Sequence, residues 1–150
     1  MPVGEICTRE VVIVKRQDSI FEAANLMRSF HVGDVVVVEE KDGQAVPVGI
    51  LTDRDIVVEI VAKNVPLDSV FVEDIMSSDL QVVQEDRGIW DSLQCMRARG
   101  VRRIVVVNVA GGLVGIVTAD DLLELLAGEL SDLVKIMTRE REKERETRQG

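Results

Sequence analysis

The sequence predicts an α/β (α+β) fold assembled from two β-α-β-β-α repeats, and three observations carry that prediction. The chain repeats itself: moved along by 69 positions (75 − 6), Ile6 falls on Ile75, Thr8 on Ser77, Val14 on Val83, Ile20 on Ile89, Met27 on Met96 and Val38 on Val107. Within each half, short continuous apolar runs alternate with apolar residues at helical spacing, the pattern of covered strands beside amphipathic helices. Each half also closes on the same stretch, Gly49-Ile50-Leu51-Thr52-Asp53-Arg54-Asp55 and then Gly115-Ile116-Val117-Thr118-Ala119-Asp120-Asp121. These copies lie 66 positions apart (115 − 49), because the preceding loop is three residues shorter in the second half.

The elements follow in order. Val11 to Val14 and Leu80 to Val83 read as short strands. Asp18-Ser19 and Asp86-Arg87 come next, with Asp expected as the helix cap. The first helix carries Ile20, Ala23, Ala24, Met27 and Phe30 on one face, and its counterpart carries Ile89, Leu93 and Met96. Val35 to Val38 and Ile104 to Val107 form the middle strands. Lys41-Asp42-Gly43 and Ala110-Gly111-Gly112 supply the turns into the return strands, Val46 to Leu51 and Leu113 to Val117. A second helix closes each half, from Asp53 to about Ala62 and from Ala119 to about Ala127. The repeats are therefore drawn as residues 5–63 and 74–127, with a linker at 64–73 that Pro66 interrupts, and a charged helix or tail at 128–150.

Bulk properties narrow the function. At 46% hydrophobic and 30% charged residues, the chain has the composition of a soluble globular protein with one core or two small ones. A net charge of −9 opposes non-specific nucleic-acid binding, which needs a positive field. No apolar run approaches a membrane span, and the N-terminus shows no secretory signal, so a cytoplasmic location is expected. Cys7 and Cys95 lack metal-ligand spacing and read as two reduced thiols. Ser/His/Asp and Cys/His sets are missing, and His31 is the sole histidine, which argues against an enzyme and against a metal site.

The two Thr-x-x-Asp turns carry the functional interest. Thr followed three residues later by Asp resembles a capping box, and a helix N-terminus is also a natural seat for an anion. Either role accounts for one copy; two copies inside two matching halves point to a pair of related sites.

A β-α-β-β-α unit ending in Gly-hydrophobic-hydrophobic-Thr-x-x-Asp, present twice, resembles the tandem cystathionine-β-synthase (CBS) domain module over roughly residues 5 to 127. Asp74-Ile75-Met76-Ser77, His31-Val32-Gly33 and Arg99-Gly100-Val101-Arg102 add to the likeness. The resemblance implies a regulatory, non-catalytic module whose halves pack about a pseudo-twofold axis and leave two clefts for adenine nucleotides. It implies that the turn Asp accepts hydrogen bonds from the ribose hydroxyls, with Thr beside it. Adenine would lie between apolar strand edges, and basic residues would hold phosphate.

Carried onto this chain, the first cleft combines Thr52, Arg54 and Asp55 with Met76, Ser77, Val101, Arg102 and Arg103. Strand alternation is expected to turn only one of the two adjacent arginines inward, and Arg102 is the choice. The second cleft combines Thr118 and Asp121 with Cys7, Thr8, Val32 and Gly33. There Gly33 and Asp34 stand where the first cleft has arginines, and Asp120 replaces Arg54. The first cleft is thus expected to take AMP, ADP or ATP, and the second to stay empty or to take a ligand of low negative charge such as adenosine or S-adenosylmethionine.

The second helices are apolar nearly all round, through Ile56, Val57, Val58, Ile60 and Val61 and through Leu122, Leu123, Leu125 and Leu126. Cover on more than one side is needed, which together with the resemblance suggests a homodimer. Any regulated protein is expected to be a separate chain. The alternative is an interaction module whose clefts are vestigial.

Overall fold

The computed structural model describes residues 1–149. It contains β1 (Ile13–Val14), α1 (Ile20–Phe30), β2 (Asp34–Lys41), β3 (Gln44–Thr52), α2 (Asp53–Ile56) continued by a π-helical turn (Val57–Val61), and α3 (Val72–Ile75). The second half follows with β4 (Val82–Gln84), α4 (Ile89–Arg99), β5 (Arg103–Val107), β6 (Leu113–Thr118) and α5 (Ala119–Gln149). Two equivalent three-stranded sheets result, ordered β1-β2-β3 and β4-β5-β6. In each, the short first strand is parallel to the middle one and the hairpin partner is antiparallel. The tight β2–β3 hairpin turns through Asp42 and Gly43, both with positive φ, which suits a right-twisted ribbon.

Three apolar clusters hold the molecule together. One lies under the first sheet around Ile20, Met27, Val35, Val37 and Leu51. Its counterpart lies under the second sheet around Ile89, Met96, Ile104, Val106 and Val117. The third joins the sheets: Val36 and Val38 meet Val105, Val107 and Ile116. Val36 and Val105 are equivalent positions, as are Val38 and Val107, so this cluster straddles the pseudo-twofold axis. Because β2 and β5 are covered on both faces, they read as unbroken valine and isoleucine runs.

The halves exchange their leading segments. Val72, from the stretch expected to be a linker, is fully buried in the first core, and its N–H donates to the Asp18 carbonyl at 2.9 Å. Val3 occupies the same place in the second core, with its N–H on the Arg87 carbonyl at 2.6 Å. Within the connecting stretch, Val65, Val70 and Val72 therefore pack against the first core while the residues between them stay exposed.

Several element ends differ from the sequence expectation. The first strand begins at Ile13 rather than Val11, and its counterpart at Val82 rather than Leu80. Ser19, not Asp18, caps α1: its hydroxyl accepts from Glu22 N–H while Glu22 reaches back to Ser19 N–H. Asp18 instead accepts from the Lys15 N–H at 2.8 Å. Gly88, with no side chain to offer, stands before α4. The largest difference is α5, one continuous helix of 31 residues. The second helix is expected to end at about Ala127, yet it runs on through Gly128, which is not among the residues with positive φ. Among the described residues no helix is long and apolar enough to cross a membrane.

Candidate functional site

Both Thr-x-x-Asp turns are reciprocal capping boxes. Thr52 Oγ1 accepts from Asp55 N–H at 3.1 Å, and Asp55 Oδ2 accepts from Thr52 N–H at 2.9 Å. Thr118 and Asp121 repeat this at 3.2 and 2.8 Å. The cap engages one carboxylate oxygen and leaves Oδ1 as a further acceptor, so capping and ligand contact are compatible in the same residue.

The glycines of the same motif explain how each half receives a piece of the other. A Cβ on Gly49 would lie 2.7 Å from Met76 Sδ and 2.9 Å from the Ser77 carbonyl oxygen; one on Gly115 would lie 2.7 Å from Cys7 Sγ and 2.6 Å from the Thr8 oxygen. Only glycine lets the exchanged segments approach this closely. Next to them, Ile50 and Ser77 exchange two backbone hydrogen bonds at 3.0 and 2.9 Å, and Ile116 and Thr8 do the same at 3.0 and 2.9 Å.

That bridge builds the first cleft. A cavity of about 300 Å³ is lined by Ile50 from the first half and by Ser77, Asp79, Leu80, Gln81, Val101, Arg102, Arg103 and Val105 from the second. Thr52 lies two residues beyond Ile50 on β3 and so shares its face. Its cross-strand partner is Asp34, whose carboxylate meets Arg103. The first turn therefore stands at the edge of a cleft whose basic wall comes from the other half. Arg54 is exposed on the first turn of α2.

Two placements depart from the sequence expectation. Arg102 lies just ahead of β5, where strand alternation does not operate, and both Arg102 and Arg103 line the cavity. Met76 packs against the first core and Cys7 is buried in the second, so their side chains serve packing. Burial pushes the Cys7 thiol above its ordinary pKa, against a smaller opposing pull from Arg9.

Each arginine of the cleft already has an anionic partner. Arg102 reaches Asp120 at 3.1 Å with both groups largely exposed. Arg103 Nε sits 3.2 Å from Asp34 Oδ2, shielded from solvent and off the line of a directed hydrogen bond. Sequence reasoning missed this pairing, and also Ile50, Asp79, Leu80, Gln81 and Val105. The repeat offered a signal for Ile50 and Leu80, since Ile116 and Val11 match them.

The second cleft is an open groove of about 730 Å³ along Thr8, Glu10, Val11, Val12, Ile13, Leu26, Phe30 and Val32. Five of these positions match cavity residues of the first cleft: Thr8, Glu10, Val11, Val12 and Val32 correspond to Ser77, Asp79, Leu80, Gln81 and Val101. Thr8 and Val32 are thus brought together as expected. Gly33 lies instead against Asp53, and its carbonyl accepts from the Asp53 N–H at 2.9 Å. Phe30 stands on its wall and no arginine lines it, so this groove lacks the cationic wall of the first. Among the described residues, no group of three His, Cys, Asp or Glu side chains is placed to hold a metal ion.

Two interleaved β-α-β-β-α repeats, with a cleft on each side of a pseudo-twofold axis, define a tandem-repeat module. Comparison with known proteins places it: the CBS domain family matches residues 3–62 and 72–128, and the chain belongs to that family. An uncharacterized protein of Methanopyrus kandleri is 37% identical over 82% of this chain, and the match spans 61% of that protein's length. Among solved structures, a CBS domain protein from Pyrobaculum aerophilum complexed with AMP superposes with a TM-score of 0.71 at 28% identity, covering 85% of this chain and 99% of that one. The CBS domain pair of protein MJ0100, in complex with 5′-methylthioadenosine and S-adenosyl-L-methionine, gives 0.72 at 26% identity, covering 86% and 98%.

Proposed function

We propose that this chain is a non-catalytic regulatory module that binds an adenine nucleotide or adenosyl ligand between its two repeats. The observation that supports this reading most directly is the first cleft, where apolar Ile50, Leu80, Val101 and Val105 share one cavity with Arg102 and Arg103. Adenine meets the apolar residues, the ribose meets Thr52 and Asp55 at the rim, and phosphate meets Arg102 and Arg103, whose planar forks suit phosphate oxygens. Arg54 and Ser77 complete that site. The second cleft, with Thr118 and Asp121 beside Thr8 and Val32, takes an adenosyl ligand without phosphates. AMP in one solved relative, and S-adenosyl-L-methionine with methylthioadenosine in another, support an adenosyl ligand for this chain.

The signal follows from the build of the cleft. A ligand that touches residues from both halves favours one arrangement of the halves over others, and so shifts a population that a partner protein reads. Exposed Val57, Val61 and Leu123 on the second helices supply the face through which two copies pair in the cytoplasm.

Isothermal titration calorimetry with AMP, ADP, ATP and S-adenosylmethionine tests the reading. At least one ligand binds, and Asp55→Ala and Arg102→Ala each weaken it about tenfold or more, as loss of a charge-assisted contact does. Silence from all four ligands sinks the proposal, and wild-type affinity in both variants sinks the site. A second reading, an interaction module with vestigial clefts, draws on one observation: both arginines are already paired with carboxylates.

A further inference from the structure

Helix α5 does not stop where the family ends. The family match closes at residue 128, while the helix continues to Gln149, a further 21 residues (149 − 128). At roughly 1.5 Å per residue this extension is about 30 Å long. Every one of its residues is exposed, including Leu130, Leu133, Val134, Ile136 and Met137, which are 56 to 64% accessible. A helix with such an apolar stripe needs a surface to cover it, and none of the described residues does so.

The sequence of the helix says what kind of support fits. Leu123, Leu126, Leu130, Leu133 and Met137 follow one another at intervals of three, four, three and four. That is the seam of a left-handed coiled coil, with Val134 and Ile136 flanking it. The seam starts on the domain itself, next to the half-exposed Trp90 and the groove it forms with Leu122, Leu125 and Leu126. A partner helix must therefore lie against the body and the extension together. Beyond Met137 the charges balance: residues 139–146 hold four cations and four anions, with an Arg139–Glu142 ion pair along the helix. A segment of zero net charge recruits neither an acidic nor a basic partner by its field, but it does not repel a copy of itself.

We infer that α5 pairs with α5 of a second copy of this chain along the Leu123–Met137 seam. A second copy is present whenever the chain is, and it presents the same seam continuous with the same domain face. The inference rests on the dimer reading above and adds the extension to it. Pairing then carries the arrangement of the domains into a rod outside the ligand module.

Sedimentation equilibrium and far-ultraviolet circular dichroism on the full chain test this, using Leu133→Glu and, on the domain face of the first half, Val57→Glu. Neither residue supports the monomer's core, so both variants fold. The wild-type chain is a dimer, and Leu133→Glu raises its dissociation constant by about tenfold or more and lowers helical content, because a buried seam position now carries a charge. A Leu133→Glu chain that dimerises like wild type overturns the inference, and if Val57→Glu then dissociates, the domain-face reading stands alone. Dissociation by Leu133→Glu with Val57→Glu still dimeric keeps the seam and removes the domain face. A monomeric wild-type chain overturns both.

Discussion

Arg103 Nε lies 3.2 Å from Asp34 Oδ2, and these two residues occupy the same position in the two repeats. Duplication placed them face to face across the pseudo-twofold axis, and divergence made one a cation and the other an anion. The pair ties the halves at the wall of the first cleft, which Arg103 lines. Under the proposed function, phosphate and Asp34 compete for Arg103. Asp34→Asn removes the competitor while keeping the side chain's shape. The expected outcome is tighter AMP binding by roughly fivefold, the equivalent of an ion pair worth about 1 kcal/mol at this partial exposure. Calorimetry reads it, and unchanged affinity removes Arg103 from the phosphate site.

The glycines beside the exchanged segments make a second prediction. Gly49→Ala and Gly115→Ala each force a methyl group against backbone that is pinned by a two-bond bridge. Each costs about 1 to 3 kcal/mol, the range for overpacking. Gly49→Ala also weakens ligand binding in the first cleft, because Ser77 lines it. Melting temperatures equal to wild type in both variants contradict the close packing.

Val72 tests the exchange of leading segments. It is fully buried, whereas Leu67 in the same connecting stretch is about half exposed. Val72→Ala should destabilise by about 2 kcal/mol through lost burial and a residual cavity, and Leu67→Ala by less than about 0.5 kcal/mol. Equal urea midpoints for the two variants would mean that residues 64–73 act as a plain linker.

Cys7 gives the chain a weakness in alkali. Burial raises its thiol pKa, so the folded protein keeps the proton after the unfolded chain has released it. Stability from this group is intact below the ordinary thiol range and falls as pH rises past about 9. Urea unfolding at about pH 8 and about pH 10 measures the loss, which Cys7→Ala should reduce. An identical pH dependence in that variant counts against the assignment.

Much of this molecule was legible in the sequence. The repeat offset, the apolar runs of β2 and β5 and the stripe of α1 determined two β-α-β-β-α units, because strand and helix periodicities are local properties. The same register named Thr52, Asp55, Thr118 and Asp121, and the substitution of Gly33 and Asp34 for Arg102 and Arg103 made the clefts unequal. The expected end of the last repeat's second helix near Ala127 fell short, because α5 runs on unbroken through the charged stretch to Gln149.

Only the tertiary structure decided how the repeats interlock. Val72 and Val3 crossing into each other's cores, Met76 and Cys7 facing inward, Ile50 meeting Ser77, and Arg103 reaching Asp34 all depend on where distant segments come to rest. Periodicity along one strand fixes which side a residue faces. It carries no information on what waits there, since packing between segments is settled by the fit of whole surfaces.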